Sequence, residues 1–260
     1  MIDLAACRAQ LERRSGLSAA VLRAGRELTL VTLLWMGYHW GRVLASGERA
    51  TAFGNAKTVH HLEQVLQLPS EASLQALVGS ETLFRMANLY YIGVHFPLTV
   101  AFLLFGYFFR PFPEYRWARN LLALLTAFAL VIHLLMPTAP PRMFPQWGFI
   151  DTMNTIGPSA YKGSMGEVAN QFAAMPSLHI GWAVLIAVVV TRTGPWWLGF
   201  LARIHAVVTV AVVVVTANHW WLDGFVAVAL LCVALVLVPG PCPGRACAKA
   251  EEDQSALPAR

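Results

Sequence analysis

Residues 196–215 read WWLGFLARIHAVVTVAVVVV, and this stretch decides the fold class. Its one charged residue is Arg203. The run is as long as the roughly 20 apolar residues that an α-helix needs to cross the hydrocarbon core of a bilayer. A helix on the surface of a soluble protein would keep a polar face, which this stretch lacks. We therefore predict a membrane-spanning helix here.

The remainder of the chain repeats this pattern. Hydrophobic residues make up 57% of the chain and charged residues 13%, whereas a soluble domain is about a quarter charged. Long apolar runs alternate with short charged segments, which is typical of a polytopic membrane protein. We predict an all-α fold with six transmembrane helices, at residues 28–46, 86–109, 121–136, 177–190, 196–215 and 220–238.

The segments between these spans have patterns of their own. Apolar residues recur at helical spacing from Val59 to Leu68, and Glu63 falls on the opposite, polar side. This predicts an amphipathic helix that lies in the membrane interface. Residues 71–78 predict a second short helix after a break at Pro69. Residues 137–174, rich in Pro, Gly and Asn, predict a long outer loop between spans three and four.

The chain divides at the ends of the membrane domain. Residues 1–26 are predicted to be a cytoplasmic N-terminal segment and residues 27–238 the transmembrane domain. Residues 239–260 are rich in Pro, Gly and polar residues, which predicts a disordered cytoplasmic tail. Trp182, Trp196, Trp197, Trp220 and Trp221 are interpreted as an aromatic belt at the membrane surface.

The basic residues orient the domain. Of 19 Lys and Arg residues, 13 fall on or nearest the side that carries both termini. Because basic residues gather in cytoplasmic loops, we predict cytoplasmic termini, with the loop at 137–174 on the other face. The net charge of +5 then reflects topology, and no basic patch with interleaved aromatics indicates nucleic-acid binding. Short loops in a compact chain favour a bacterial plasma membrane.

The motif His219-Trp-Trp-Leu-Asp223 opens the last predicted span. Residues four apart meet on one face of a helix. A carboxylate beside an imidazole fixes its tautomer and stabilises its charged form, leaving the opposite ring nitrogen to attack an electrophile. A phosphohistidine would divide a difficult phosphoryl transfer into two easier steps. The alternative is a histidine and an aspartate that merely anchor the helix end.

The motif Met175-Pro-Ser-Leu-His179 opens the fourth predicted span. Pro176 and Ser177 are typical of helix starts, and Ser177 can cap. The free N–H groups of a first turn bind anions. His179 would then lie near a bound phosphate as a general acid that protonates the leaving oxygen. The alternative is a helix start with an interfacial histidine.

Other polar residues precede these motifs on the same face. Arg142, in Pro137-Thr-Ala-Pro-Pro-Arg142, offers a planar fork that matches phosphate oxygens. Asn170 and Gln171 are candidate hydrogen-bond donors to phosphate or to a polar headgroup. The catalytic set predicted is therefore His179, His219 and Asp223, and the phosphate-binding set is Arg142, Ser177, Asn170 and Gln171. The remaining histidines in or near spans are interpreted as packing residues: His39, His95, His133 and His205.

Together these residues resemble the type 2 phosphatidic acid phosphatase superfamily, and most closely its inositol phosphorylceramide synthase-like branch of inositolphosphotransferases. The resemblance covers roughly residues 50–238 and rests on three motifs in this order: Ala139-Pro-Pro-Arg142, Ala174-Met-Pro-Ser-Leu-His179 and Asn218-His219-Trp-Trp-Leu-Asp223. It implies a six-helix fold and a mechanism that needs no metal or other cofactor. It also implies that His219 is the nucleophile, Asp223 its partner and His179 the general acid.

The sequence departs from the wider superfamily at three positions. The first motif normally has a Lys before an Arg-Pro pair, and only Arg142 is present here. The third motif normally has an Arg six residues before its His, where this chain has Val213, and Leu178 stands where the second motif often has Gly. These departures match the synthase-like branch better than a plain phosphatidate hydrolase.

The sequence leaves four functional hypotheses. The first is a phosphotransferase that moves a phosphorylated headgroup onto an acceptor, and the second is a lipid phosphatase with water as acceptor. Both act on a phospholipid or another phosphorylated amphiphile in the bilayer. The third is a non-catalytic membrane protein on the same fold. The fourth is a metalloenzyme with His179, His219 and Asp223 as ligands.

Overall fold

A computed structural model describes residues 21–22, 24–33, 36–37, 49–159 and 171–241. The chain forms two units, Met1–Trp40 and Gly41–Arg260. The described residues of the first unit are helical. The predicted first span at 28–46 lies largely outside the described residues, as do most of the two predicted terminal segments.

The described residues of the second unit form nine α-helices and two 3₁₀ turns and no extended sheet. The 3₁₀ turns are Pro141–Met143 and Pro145–Trp147. The α-helices, numbered here α1 to α9 in chain order, are Arg49–Val65, Glu71–Val78, Glu81–Gly93, His95–Phe109, Phe112–Leu135, Thr152–Thr155, Leu178–Thr193, Trp196–Val215 and Trp221–Leu237.

Several helices match the sequence closely. Helix α8 has the bounds predicted for the fifth span, and α2 has the bounds predicted for the short second helix. Ser177 caps α7, since its side-chain oxygen accepts a hydrogen bond from the backbone N–H of Ile180 at 3.3 Å. The predicted cap at this position is confirmed.

The second predicted span is interrupted. Helices α3 and α4 meet at Val94, whereas the sequence predicted one helix over residues 86–109. Pro97 has no N–H with which to bond the carbonyl of Gly93, and a proline at this position breaks the backbone ladder. The break makes His95 the first residue of α4, where it is buried.

The third span is longer than predicted. Residues 110–119 are predicted to connect spans two and three, but α5 begins at Phe112. Pro113 lies in the first turn, where a helix tolerates proline because the missing N–H would have no partner there. The connector is therefore a short turn around Arg110 and Pro111.

Three helical stretches in the described residues are long and apolar enough to cross a membrane: Glu81–Phe109, Phe112–Leu135 and Trp196–Val215. Two shorter apolar helices, Leu178–Thr193 and Trp221–Leu237, pack beside them. These helices indicate a membrane protein. Helix α7 lies at the centre, in contact with α4, α5, α8 and α9, while α1 and α2 pack against α9 and α8 respectively.

Candidate active site

A tight turn between α8 and α9 positions the third motif. The N–H of Ala217 bonds to the carbonyl of Val214 at 2.9 Å, and the N–H of Asn218 bonds to the carbonyl of Val213 at 3.0 Å. This is a Schellman motif, in which glycine usually takes the left-handed position. Here Ala217 takes it, with φ of 53°. The chain therefore reverses sharply, and His219 follows at the start of α9.

His219 is held by one nitrogen of its ring. Its Nδ1 lies 2.9 Å from the carbonyl oxygen of Ala174 and 3.3 Å from Oδ2 of Asp223. Because a carbonyl oxygen can only accept, the hydrogen is on Nδ1, which donates to Ala174 and faces the carboxylate. Nε2 is then the unprotonated nitrogen of the neutral ring. This is the tautomer that a nucleophilic imidazole needs.

Asp223 is completely buried. Its Oδ2 accepts a hydrogen bond from the backbone N–H of Trp220 at 2.8 Å as well as facing His219. Its own backbone carbonyl accepts from the N–H of Ser177 at 3.0 Å, which ties the start of α9 to the start of α7. One residue thus orients the His219 ring, caps α9 and joins the two motifs.

The structure brings His179 and His219 together, with ring centroids 5.6 Å apart. His179 lies in the first turn of α7, and its ring also stacks on Tyr91 at 4.2 Å and packs against His95 at 4.7 Å. The two imidazoles belong to helix starts separated by about forty residues of sequence. One phosphorus atom between them could contact both rings.

Two glycines permit this approach. A Cβ on Gly224 would lie 2.7 Å from Cδ1 of Ile180, and a Cβ on Gly181 would lie 3.1 Å from Cδ2 of Leu125 and 3.5 Å from Cβ of Ala227. Helix α7 therefore packs against α9 at positions where one helix has no side chain. Because interhelical distance depends on the side chains at the contact, small residues here bring the motifs close.

Arg142 lies against the third motif. The residue is 4% exposed, its Nε donates to Oδ1 of Asn218 at 3.0 Å, and its backbone N–H donates to the carbonyl of Ala217 at 2.8 Å. The amide of Asn218 is fixed in turn by Oγ1 of Thr216, to which its Nδ2 donates at 2.7 Å. Asn218 belongs to the third motif but was not among the predicted site residues, and only the structure shows that it binds Arg142.

The other predicted phosphate ligands are Asn170, Gln171 and Ser177. Asn170 lies outside the described residues, and Gln171 is exposed. Ser177 is fully buried, and its hydroxyl oxygen is used as the cap of α7. Ser177 therefore contributes through the helix start that it builds.

One residue of the predicted aromatic belt is not at the surface. Trp220 is fully buried, and its ring N–H donates to the carbonyl of Ala139 at 2.9 Å. It packs against Phe144 and Phe149 and so supports the loop that carries Arg142. A hydrophobic helix start has the same sequence pattern whether it faces lipid or the protein interior, so the sequence could not distinguish the two environments.

Histidines interpreted as packing residues also converge here. His95 is 2% exposed, and its ring lies 4.7 Å from that of His179 and 5.9 Å from that of His205. Nδ1 of His205 lies 2.6 Å from the hydroxyl of Tyr90. On the other side, Nε2 of His133 donates to the carbonyl of Pro176 at 3.1 Å. Pro97, to which the break at Val94 is attributed, is the sequence signal that could have placed His95 at a helix start.

This arrangement can perform nucleophilic substitution at phosphorus. It combines an oriented imidazole, a second imidazole, a buried guanidinium and a helix start. Among the described residues, no three His, Cys, Asp or Glu side chains are grouped so that they could hold a metal ion. Nδ1 of His219 and Oδ2 of Asp223 face each other, and each is also bonded to a backbone group, Nδ1 to the carbonyl of Ala174 and Oδ2 to the N–H of Trp220, a geometry that favours hydrogen bonding over joint metal ligation.

A scan against protein-family models matches residues 57–237, well over half of the chain, to the PAP2 superfamily of type 2 phosphatidic acid phosphatases. Searches of characterised proteins and of solved structures gave no match. The matched range contains all three motifs on which the resemblance rests, and it includes α2 to α9 completely. The chain therefore belongs to the PAP2 superfamily and is an enzyme of its lipid phosphatase and phosphotransferase class.

Proposed function

We propose that the protein is a membrane-embedded phosphotransferase that acts on phosphorylated lipids or donors of a phosphorylated headgroup, through a phosphohistidine at His219. One observation carries the proposal: Nδ1 of His219 is engaged by Ala174 and Asp223, while the ring of His179 lies 5.6 Å away. A nucleophile and an acid–base group are thus available to the same phosphorus atom.

In the first half-reaction, the lone pair on Nε2 of His219 attacks phosphorus, and the bond from phosphorus to the leaving oxygen breaks. His179 gives a proton to that oxygen. Asp223 stabilises the positive charge that forms on the His219 ring, since its carboxylate faces Nδ1. Arg142 and the N–H groups at the start of α7 bind the non-bridging oxygens.

In the second half-reaction, an acceptor hydroxyl attacks the phosphohistidine. His179, now neutral, takes the hydroxyl proton, and the bond between phosphorus and Nε2 breaks. Phosphohydrolysis follows the same course with water as acceptor and is the alternative function. His219 is 5% exposed, which restricts the access of water and supports transfer.

The finer assignment to the inositol phosphorylceramide synthase-like branch is part of this proposal. Val213, where the wider superfamily carries an arginine, is fully buried and packs against Ile180. Arg142 and its partner Asn218 then supply the cationic contact to phosphate. An apolar cavity of about 710 Å³ lies between α4, α5, α7 and α8; His205 lines it, but none of the proposed catalytic residues does.

Trapping of the covalent intermediate tests the proposal. Purified protein is mixed with ³²P-labelled phosphatidate or phosphatidylinositol, quenched, and digested to locate the label. We expect an acid-labile, alkali-stable phosphate on the peptide with His219, no label in His219→Ala, and normal label in His61→Ala, which changes an exposed histidine. Product that depends on an added lipid or polyol acceptor supports transfer, and free phosphate without acceptor supports hydrolysis. A wild-type protein that turns over substrate without any histidine label refutes the mechanism.

We also propose that the site faces the non-cytoplasmic side of a bacterial plasma membrane. Gln146, in the second 3₁₀ turn, and Arg192, near the end of α7, are both exposed and lie at opposite ends of the domain. In a background without native cysteines, Gln146→Cys is expected to react with a membrane-impermeant maleimide in intact cells, whereas Arg192→Cys reacts only after lysis. The reverse pattern would refute this orientation.

A further inference from the structure

Two glutamates, one on α1 and one on α2, are buried. Glu63 on α1 is 4% exposed and Glu71 on α2 is 2% exposed. The sequence pattern placed Glu63 on the polar face of an interfacial helix, and the structure corrects this, because that face packs against α9. Buried carboxyl groups are expensive unless they are paired and hydrogen-bonded. Neither residue takes part in the mechanism derived so far.

Both carboxyl groups reach the start of α9. Oε1 of Glu63 accepts a hydrogen bond from the backbone N–H of Leu222 at 2.9 Å. Oε1 of Glu71 accepts one from the N–H of Trp221 at 3.2 Å. With the bond from Trp220 to Asp223 at 2.8 Å, three consecutive N–H groups each bind a different carboxyl group. The first N–H groups of a helix have no backbone partner within it, and here side-chain carboxyl groups supply the partners.

Negative charges on the three neighbouring carboxyl groups would repel one another. Burial and the neighbouring charge of Glu71 raise the pKa of Glu63 to about 9, and Asp223 adds to this shift. Burial also raises the pKa of Glu71. Glu63 is therefore protonated at neutral pH, and its second carboxyl oxygen, Oε2, has no hydrogen-bond partner among the described residues. The further titratable group on this side is His60, one turn earlier on α1, whose pKa is lowered by burial.

We infer that Glu63 and Glu71 are positioning residues for the nucleophile: their carboxyl groups cap the first turn of α9 from outside and so fix Asp223 and, through it, His219. The inference rests on the proposed role of His219. The physical link is short, because the capped N–H groups belong to the two residues between Trp220 and Asp223. A shift of the helix start would change the distance from Asp223 to the imidazole, and a misplacement of about 1 Å can cost roughly a hundredfold in rate.

Three variants separate positioning from simple stabilisation. Glu63→Gln keeps the shape and the neutral charge of the protonated carboxyl group and accepts from the N–H of Leu222 with its amide oxygen. Glu63→Ala removes this bond. Glu81→Ala is the matched control, because Glu81 also lies in the first turn of a helix but is exposed.

We expect Glu63→Ala to lower kcat and the rate of phospho-enzyme formation by roughly ten- to a hundredfold, with KM changed by less than about threefold, because substrate groups are not touched. Glu63→Gln is expected to retain wild-type kcat near neutrality. In wild type, kcat is expected to decline as pH rises towards about 9, where the Glu63 proton leaves, and Glu63→Gln is expected to lack this decline. Glu81→Ala is expected to match wild type throughout.

Hydrogen exchange measured by mass spectrometry gives a readout independent of activity. Amides in the peptide over residues 219–224 are expected to exchange faster in Glu63→Ala than in wild type, and at the wild-type rate in Glu63→Gln. Normal exchange and normal kcat in Glu63→Ala overturn the inference while leaving the phosphohistidine mechanism intact. If wild-type protein forms no phosphohistidine, the role of the glutamates in catalysis is refuted. The hydrogen-exchange data still decide whether the glutamates hold the helix start. If Glu63→Ala fails to fold, a Glu63→Gln variant with an unaltered alkaline decline in kcat overturns the inference.

Discussion

Substitution of Asp223 by asparagine separates the charge of this carboxylate from its place in the fold. In Asp223→Asn, the amide oxygen can still accept from the N–H of Trp220, the bond that measures 2.8 Å in the native protein. The carbonyl of Ala174 still accepts from Nδ1 of His219, so the tautomer is retained. What is lost is a negative charge beside a ring that becomes positive during attack.

The size of the loss follows from Coulomb's law. Nδ1 and Oδ2 are 3.3 Å apart and buried. Unit charges about 4 Å apart at an effective dielectric constant of 20 interact by about 4 kcal/mol. At 1.36 kcal/mol for each factor of ten, this corresponds to a loss of about a thousandfold in the rate of phospho-enzyme formation. The hydrogen bonds of Oδ2 remain, but the new NH2 group takes the place of Oδ1, which is buried without a hydrogen-bond partner, so the free energy of unfolding should fall by about 1–3 kcal/mol.

Rapid-quench measurement of phospho-enzyme formation, together with thermal unfolding in the same detergent, tests both numbers. Asp151→Asn is the matched control, since Asp151 also caps a helix, with Oδ1 accepting from the N–H of Asn154 at 3.1 Å, but does not contact His219. A rate for Asp223→Asn within about threefold of wild type would refute the electrostatic reasoning. A collapse in thermal stability without a native-like fold would show instead that the aspartate is mainly structural.

Further predictions follow from single contacts. Arg142→Lys keeps the charge but loses the bond from Nε to Asn218, so KM should rise by about tenfold with kcat changed less, as measured by steady-state kinetics. Gly224→Val adds a side chain where a Cβ alone would lie 2.7 Å from Ile180, so phospho-enzyme formation should fall at least tenfold, while Gly54→Ala, at an open position, should match wild type. Glu63 binds its proton more tightly in the folded protein than in the unfolded chain, with a pKa of about 9 against 4.5, so its contribution to stability is complete below 4.5 and is lost as pH rises through 9. The temperature of the thermal unfolding midpoint of wild type should therefore decrease as pH rises above neutrality. An equal decrease in the Glu63→Gln protein would contradict this.

Local signals in the sequence determined the helices. The apolar run at 196–215 needs no partner to be recognised, because a helix is the one way for it to satisfy its backbone in lipid. Ser177 marks the start of α7 because capping is a local hydrogen bond. The pairing of His219 with Asp223 could be predicted from their spacing, although His219 lies two residues before α9 and the contact forms across the start of the helix.

The surroundings of the site required the tertiary structure. Two hydrogen bonds, from His219 to the carbonyl of Ala174 and from Arg142 to the side-chain amide of Asn218, join residues about forty to eighty positions apart. No local pattern encodes such a pairing. Composition likewise could not tell that Trp220 is buried while Trp196 is exposed, because both precede apolar runs.

The sequence by itself therefore determined where most of the helices lie and which side chains could carry phosphoryl chemistry, because hydropathy, capping and helical spacing act over a few residues. It also predicted that His179 and His219 serve one site, but tertiary structure alone decided the separation of their rings and the contacts of Glu63 and Glu71 with the start of α9. Those contacts depend on how closely α7 and α9 pack and on which face of α1 meets them. The physical reason is that burial and interhelical distance are properties of the assembled bundle, and no single helix specifies them.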